Sequence, residues 1–387
     1  MVRFPLAIAA AHLPVLAASV WIIRNGWRAN RLGMPSWRWL LALLADGTTF
    51  CAAAALGLVV LGALRYVGFA SMRLLAQVIF GELFVVLTAL AAAQFRYAPA
   101  SRSRGVFFAG IAALLLATYV EAYHHCPYNL QVRRHHVDLT QGRPSAGVLR
   151  LVHVSDLQTF AVRPYERRVF AAVAELQPDL LLFTGDYVQS RYRPTRSRTD
   201  AELRALLTEL RLRPRYGTFA LQGDVESNDW RALFAGLGIT CLSNQHTRIQ
   251  LAGGRTLSLT GLDLATSRER DSARLGRLLH EAPAADYHFV SGHSPDFVES
   301  LSDVESLSDA APIDLALAGH THGGQIVIPG FGPPLTLSRL PRRYAGGLHR
   351  FGRVPLHVSR GTGMERGLAP QIRLFCPPEV CLLEIRY

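Results

Sequence analysis

The chain has 387 residues and a formal net charge of +12, and every basic residue is an arginine. This length fits two or three domains of roughly 150 residues each. The five cysteines form no C-x-x-C pair, and such an odd, scattered set argues against a disulfide framework. No nucleic-acid-binding motif accompanies the arginines, so the charge predicts no nucleic-acid partner.

Four apolar segments follow one another at the start of the chain. Each has close to the ~20 residues that a helix needs to cross the hydrocarbon core of a bilayer. Four in a row exclude one cleaved signal peptide as their explanation. They predict a transmembrane domain over residues 1–123, with helices at residues 4–23, 39–64, 74–95 and 105–123.

The arginines between these segments predict an orientation. The first connection holds four arginines and the third holds three, whereas the second holds two. Connections rich in arginine stay in the cytoplasm, so both ends of the chain are expected to face outward. The exclusive use of arginine is typical of a GC-rich bacterial genome. We therefore expect a multi-pass protein of a bacterial inner (plasma) membrane, with a periplasmic or extracellular C-terminal domain.

Three acidic residues lie within or at the rim of the apolar segments, at Asp46, Glu82 and Glu121. Ionisable groups in a bilayer are costly and often mark a transport pathway. Two interpretations of the apolar segments stay open. They form either a structural bundle with the acids packed inside or a small transporter or sensor. The helix breaks and internal symmetry of transporters are not evident in the sequence.

The rest of the chain alternates between strand and helix patterns. Residues 124–146 are predicted to be a linker, and residues 147–387 an α/β layered domain. Helices are predicted at residues 164–177, 200–210, 231–237 and 273–281. Strands are predicted at residues 148–155, 180–184, 218–222, 255–262, 287–291, 313–318, 354–359 and 380–385.

Polar side chains end five of the predicted strands. Ligands bind beyond the carboxyl ends of strands in open α/β sheets, so these side chains are expected to share one crevice. His320 and His322 lie two positions apart, and alternate residues of an extended chain share a face. A mixed set of carboxylates and imidazoles suits Mn, Fe or Zn, and a pair of such ions clamps and hydrolyses phosphoryl groups. The set is Asp156, Asp186, Asp224, His293, His320 and His322.

The order of these motifs resembles the calcineurin-like metallophosphoesterase family, and the stretch from Gly319 to Gln325 is similar to its membrane-associated branch. The resemblance covers residues 147–387. It implies a β-sandwich flanked by helices and two divalent metal ions, with Mn foremost and Fe, Zn or Mg as alternatives. The matching stretches are Ser155-Asp156-Leu157-Gln158, Thr184-Gly185-Asp186, Gln222-Gly223-Asp224-Val225-Glu226, Ser291-Gly292-His293 and Gly319-His320-Thr321-His322-Gly323-Gly324-Gln325.

By position in the family pattern, Asp156 and His322 would bind the first metal ion. Asp186 would bridge both ions, and His293 and His320 would bind the second. These roles are implied by the resemblance and apply only to positions that match the motifs.

Three positions depart from the family pattern. Gln158 stands where the family has a metal-binding histidine, and its amide oxygen is a harder donor that favours Mn or Mg. Asp224 stands where the family has an asparagine, and it still offers oxygen to a metal. Val225 replaces a histidine that the family uses to protonate the leaving group or to steady the transition state. Such acid help is typically worth about 10²–10⁴-fold.

The sequence offers Glu226, His153 or His246 as the missing acid and does not choose among the three. Glu226 directly follows Val225, and His153 lies in the predicted strand before Asp156. With Asp186 as the bridging ligand, Glu226 and His153 form the predicted catalytic set.

Two functions stay open for the C-terminal domain. The first is a membrane-tethered, metal-dependent phosphoesterase that acts on a phosphoester or phosphodiester by metal-activated water. Its expected partners are the lipid bilayer and a phosphorylated lipid or cell-envelope substrate. The second is a catalytically degenerate module that binds a metal or a phosphorylated ligand, since two family histidines are replaced.

Overall fold

The computed structural model describes residue 73 and residues 76–97, 102–190, 192–269, 271–301, 312–367 and 369–387. The first two predicted apolar segments, residues 4–23 and 39–64, lie outside these residues. The chain divides into two compact units, with the boundary between Glu121 and Ala122.

Among the described residues, two apolar helices begin before this boundary. Helix α1 (Phe84–Tyr97) follows a π-helical turn (Val78–Leu83), and α2 (Arg102–Val120) continues into a second one (Glu121–His125). Ile79–Arg96 and Arg102–Tyr128 are long and apolar enough to cross a membrane, and only 24% and 17% of their apolar stretches are buried. A core helix of a soluble protein would bury most of its apolar surface. The two helices therefore suggest membrane association, and they coincide with the third and fourth predicted segments.

Two six-stranded sheets form the framework after Ala122. The first has the order β1-β12-β2-β3-β4-β5, and the second has the order β10-β11-β9-β8-β7-β6. The strands of the first sheet are β1 (Gln131–Asp138), β2 (Val148–Val154), β3 (Leu180–Phe183), β4 (Thr218–Ala220), β5 (Ile239–Cys241) and β12 (Glu379–Arg386). Those of the second are β6 (Gln245–Gln250), β7 (Thr256–Gly261), β8 (Tyr287–Ser291), β9 (Leu315–Ala318), β10 (Gly347–Phe351) and β11 (Val354–Val358).

Four further α-helices accompany the sheets within the described part of the chain. In the first sheet's half of the chain these are α3 (Pro164–Glu175) and α4 (Arg193–Leu210), and in the second sheet's half they are α5 (Leu264–Arg268) and α6 (Ser272–His280). Helices α3 and α4 share a buried apolar cluster with the first sheet, and α6 shares one with the second. The structure thus confirms an α/β fold with helices outside a pair of sheets.

The apolar core lies between the two sheets because side chains alternate along each strand. In β2, Leu149 and Leu151 pack into the cluster that holds Phe289 of the second sheet. Val152 and Val154 of the same strand pack instead against the helices. This alternation places one apolar layer inside the sandwich and one on each outer face.

Parallel pairing brings the motif-bearing loops to one end of the sandwich. Strands β2, β3, β4 and β5 are parallel to one another, as are β7, β8, β9 and β11. The loops after these strands also bond to one another. Asp156 donates its backbone N–H to the Gly185 carbonyl at 3.0 Å, and Gly319 donates to the His293 carbonyl at 2.9 Å.

The predicted linker is partly wrong, because it contains β1. This strand pairs with β12 in parallel over Gln131 to Asp138. Most of its side chains are half-buried or exposed, as is usual for a strand at the edge of a sheet. The sequence therefore lacks the alternation of apolar and polar residues that would predict a strand here. The strands β5, β6 and β10 were not predicted either. β6 reads Gln-His-Thr-Arg-Ile-Gln and buries only Ile249, so it lacks the apolar pattern of a central strand.

Helix α4 begins seven residues before the predicted start at Asp200, at Arg193. A proline stands at its second position, where a helix tolerates the missing N–H. The first turns of this helix are polar and show no helical repeat of apolar residues. The sequence therefore predicted only the C-terminal half, which is the half with buried side chains.

Val137→Ala tests whether β1 belongs to the domain. Val137 is 6% exposed and packs between the sheets, whereas Val132 of the same strand is 43% exposed. Removing the two buried methyl groups is expected to lower the free energy of unfolding by about 1.5 kcal/mol. Chemical denaturation of the full chain measures this, with Val132→Ala as the matched control. Equal, negligible effects of both variants would mean that β1 is a loosely attached connector.

Candidate metal centre

Two groups of possible metal-binding side chains lie at the loop end of the sandwich. Asp156, Asp186 and His322 form one group, and within it one ligand atom from each residue lies within 4.8 Å of the others. The same holds for the second group, which consists of Asp224, His293 and His320. The two groups adjoin, since His293 Nε2 lies 3.5 Å from Asp186 Oδ1. Together with Gln158 they are called the candidate metal centre below.

The backbone at this centre is held in an uncommon conformation. Asp156, Gln158, Asp186, His320 and His322 have φ angles of 52°, 40°, 60°, 70° and 51°. Left-handed backbone costs an L-residue roughly 1–3 kcal/mol and clusters at functional sites. Here the left-handed conformation turns the backbone sharply after strands β2, β3 and β9.

Glycines in the motifs make room for the buried carboxylates. A Cβ atom on Gly223 would clash with the carboxylate and backbone nitrogen of Asp186, and one on Gly319 would clash with Ser155 and Asp156. The Gly-Asp and Gly-His pairs of the sequence therefore reflect close packing between loops.

Hydrogen bonds orient two of the histidines. His293 Nδ1 lies 2.7 Å from the Thr184 carbonyl, and His320 Nε2 lies 2.9 Å from the Leu337 carbonyl. A carbonyl only accepts, so these ring nitrogens carry the protons. In the neutral form of each ring, the opposite nitrogen carries the lone pair that a metal ion can bind. His293 Nε2 then faces Asp186, and His320 Nδ1 lies 3.0 Å from Asp224 Oδ2.

A buried arginine braces the third histidine, His322. Arg373 is fully buried and donates to the carbonyls of Gly363, Cys376 and Arg360 at 2.7, 3.0 and 2.7 Å. Burial and then the nearby Arg373 charge lower the pKa of His322 well below its usual value. His322 is therefore a neutral imidazole, which is the form that binds metals.

The centre carries an excess of negative charge. Burial lowers the pKa of His293, but Asp186, Asp156 and Asp224 outweigh it and raise the pKa to about 9. Burial also raises the pKa of Asp156, and the neighbouring Asp186 adds to this. Carboxylates packed this closely favour a cation in their midst.

Within the candidate metal centre, three buried ligand-type atoms have no hydrogen-bond partner among the described residues: Gln158 Oε1, His293 Nε2 and His322 Nε2. Buried polar atoms are nearly always paired, and each of these is a donor that divalent metals accept. The carboxylates and imidazoles of the centre therefore fit divalent metal ions.

Gln158 lies within the centre, with a partner that the sequence did not reveal. Its amide nitrogen donates to Asp186 Oδ2 at 2.8 Å and to Glu365 Oε2 at 2.9 Å. Glu365 lies 207 positions later in the chain, and no strand-end pattern marks it. Arg268 is also a newly found neighbour, 2.9 Å from Asp224 Oδ1.

The structure does not support a catalytic role for His153. Its side chain is fully buried between the sheets. Its Nδ1 lies 2.9 Å from His357 Nδ1, and its Nε2 lies 2.8 Å from Thr184 Oγ1. Both ring nitrogens are thus engaged away from the ligand atoms. The alternation of β2 turns His153 to the inside of the sandwich, like Leu149 and Leu151.

Glu226 holds backbone at the edge of the centre. Burial and the neighbouring Asp186 raise its pKa, which is a property of general acids. Its carboxylate, however, accepts the backbone N–H groups of Asp186, Tyr187 and Gly223 at 2.9, 2.7 and 2.7 Å. These three bonds indicate that Glu226 positions the loops, while its acid role stays a prediction.

Comparison with known proteins agrees with this geometry. Residues 149–324 match the family model of the calcineurin-like phosphoesterases. Phosphodiesterase YaeI of Escherichia coli is 30% identical over 296 residues, which are 73% of this chain and 99% of that protein. The chain belongs to the calcineurin-like metallophosphoesterases, a family of phosphoester hydrolases that use divalent metal ions.

Two further relatives have informative names. UDP-2,3-diacylglucosamine pyrophosphatase LpxG of Chlamydia trachomatis is 27% identical over 333 residues, covering 72% of this chain and 95% of that protein. A transmembrane protein with a metallophosphoesterase domain from Danio rerio is 28% identical over 233 residues, covering 56% of this chain and 48% of that protein.

Glu226→Gln separates positioning from acid catalysis. The new amide group would face backbone N–H donors, so the loops that hold Asp186 and Gly223 are expected to shift. We expect kcat/KM to fall about 10–100-fold by the same factor for an aryl and an alkyl phosphodiester. Glu269→Gln, at a largely exposed side chain, is the control. A loss confined to the alkyl ester, whose leaving group needs a proton, would support the acid role.

Proposed function

We propose that this protein is a membrane-anchored phosphodiesterase or pyrophosphatase that uses two divalent metal ions. The adjoining pair of His/carboxylate groups carries the proposal, because Asp186 lies between them and touches His293 of the second. Asp156, Gln158, Asp186 and His322 would hold one ion. Asp186, Asp224, His293 and His320 would hold the other. Bound ions of this kind lower the pKa of water and offset the charge on a phosphoryl group.

The donors favour a hard metal ion. The first group offers two carboxylates, one imidazole and the unpaired amide oxygen of Gln158. The second offers carboxylates and two imidazoles. Oxygen donors prefer Mn or Mg, whereas imidazole also suits Fe and Zn. Mn²⁺ is the ion that we propose for both positions.

The protein residues around the ions have distinct tasks. Thr184 and Leu337 fix the proton positions of His293 and His320 through their carbonyls. Glu226 and the N–H of Val225, which lies 3.0 Å from Asp186 Oδ1, hold the bridging carboxylate in place. Arg268 partly neutralises Asp224 and faces the solvent side of the second group.

Val225 bears on the substrate. Its side chain carries no proton, so the chain lacks a general acid at the position where the family has one. Bonds with good leaving groups, such as phosphoanhydrides and activated diesters, depend least on such an acid. We infer that the natural substrate has a leaving group of this kind.

The apolar helices support a substrate at a bilayer. Two helices of this composition next to a hydrolase domain are the arrangement expected for a phosphorylated lipid or a lipid-linked envelope precursor. The name of the Chlamydia relative describes a diacylated sugar nucleotide cleaved at a pyrophosphate, which belongs to the same class. We propose a bacterial inner membrane location, with the catalytic domain on the outer side.

Asp186→Asn tests the metal centre directly. The variant removes the charge of the residue shared by both groups, so Mn²⁺-dependent hydrolysis of bis(p-nitrophenyl) phosphate is expected to fall by about 100-fold or more. The full chain in detergent micelles is assayed beside Asp271→Asn, at a helix N-cap where asparagine caps equally well. If the folded, metal-loaded wild type shows no turnover, the alternative hypothesis of a catalytically degenerate binding module is favoured instead.

Val225→His tests the missing acid. A histidine here is expected to raise kcat/KM for an alkyl phosphodiester by up to about 100-fold, with a far smaller gain for the p-nitrophenyl ester. The backbone bond to Asp186 is unaffected by the substitution. Val225→Asn, a polar side chain that cannot deliver a proton, is the control. A gain shared by both variants, or by both esters, would argue against proton transfer.

A further inference from the structure

A separate cluster of metal-ligating side chains lies between the sheets. His135 of β1, His357 of β11 and Cys381 of β12 each offer one ligand atom, and these atoms lie within 4.8 Å of one another. None of the three belongs to the candidate metal centre. Their strands lie in both sheets, so the cluster bridges the sandwich. His357 and Cys381 are fully buried, and His135 is half-buried.

One ring nitrogen in this cluster has no partner. His357 Nε2 is buried and makes no hydrogen bond to any described residue. The other nitrogen, Nδ1, lies 2.9 Å from Nδ1 of His153. His357 thus brings one buried, unpaired ring nitrogen to a cluster that also holds an imidazole and a thiol. Left without a partner, such an atom costs roughly 1–3 kcal/mol, whereas a bound metal ion would satisfy it.

The hydrogen-bond chain behind His357 is compatible with ligation. His357 can donate its Nδ1 proton to His153, which in turn donates from Nε2 to Thr184 Oγ1 at 2.8 Å. This arrangement leaves the lone pair of His357 on Nε2. Metal-binding histidines usually donate their second nitrogen in this way, which fixes the ring and its tautomer. His153, which has no task at the candidate metal centre, then acts as the support of His357.

We propose that His135, His357 and Cys381 form a third metal site, selective for a soft ion such as Zn²⁺. Imidazole and thiolate are the preferred donors of zinc, whereas the oxygen-rich candidate metal centre suits harder ions. Burial lowers the pKa values of both His135 and His357, so the imidazoles are neutral. Binding would release the Cys381 thiol proton to solvent and form the zinc–sulfur bond. The fourth position stays open to water.

The charges around the cluster are mixed. Glu379, 2% exposed, is the negative neighbour that acts on both His135 and Cys381, and Arg133 and Arg360 are the positive ones. Arg360 lies 3.7 Å from Glu379, which partly neutralises it. Burial and Glu379 raise the pKa of the Cys381 thiol well above its usual value, so the thiolate would form only when a metal ion displaces the proton. A zinc ion here would tie the edge strand β1 to the opposite sheet.

Cobalt substitution tests the site, because the candidate metal centre contains no sulfur ligand. The full chain in detergent is loaded with Co²⁺, and a cobalt–thiolate bond is expected to give a near-ultraviolet charge-transfer band. Zinc-loaded protein is expected to hold three ions per chain, with one sulfur neighbour near ~2.3 Å in X-ray absorption spectra. Cobalt-saturated wild type without the band, or zinc spectra without sulfur, would overturn the proposal.

Variants assign the ligands. Cys381→Ser is expected to abolish the cobalt–thiolate band, and Cys241→Ser, at a half-buried cysteine outside the cluster, to retain it. His135→Ala, at the half-buried edge, is expected to weaken cobalt binding at least about 10-fold, and it serves if Cys381→Ser does not fold. A band that persists in Cys381→Ser, or full-strength binding in His135→Ala, would overturn the assignment. Asp186→Asn is expected to keep the band, which separates this site from the proposed hydrolytic one.

Discussion

Carboxylates buried at one end of the sandwich set the main constraint on this structure. Asp156 is fully buried and Asp186 nearly so, and Asp224 stands close by. Such charges are tolerable only when opposite charges or hydrogen bonds surround them. The backbone N–H of His320 bonds to Asp156 at 3.0 Å, and that of Val225 bonds to Asp186. His293 and His320 face the same carboxylates through the ring nitrogens that are not bonded to backbone carbonyls. Positive charge from divalent metal ions would complete this balance.

The loops that carry these carboxylates are held from outside the centre. Glu226 binds three backbone amides, and Arg373 binds carbonyls on the opposite side. Both side chains are charged and mostly buried, so each is costly unless its bonds are complete. These bonds hold the loops, and with them the five residues of left-handed backbone conformation, in place. Rigid loops of this kind keep ligands in register, which is the usual requirement for a preorganised site.

Central strands could be predicted from the sequence more closely than edge strands. Central strands such as β3 and β9, buried on both faces, are plain apolar runs and were predicted closely. Edge strands such as β1 and β6 have few buried side chains and were missed, because their stability comes from partners far along the chain. His153 and Glu226 were predicted as catalytic from nearness in sequence. The pleat of β2 turns His153 to the inside of the sandwich, whereas three backbone amides bond to Glu226, whose acid role stays a prediction.

The sequence by itself determined the two described apolar helices, the α/β class and the residues at the ends of strands. These depend on local composition and on periods of two or 3.6 residues, which are visible in a single chain. Only the tertiary structure decided that Glu365 meets Gln158, that Arg373 braces His322 and that His135, His357 and Cys381 converge. Those contacts join positions dozens to hundreds of residues apart, and no local period encodes them. They follow from the order and direction in which twelve strands pair, which is a property of the whole fold.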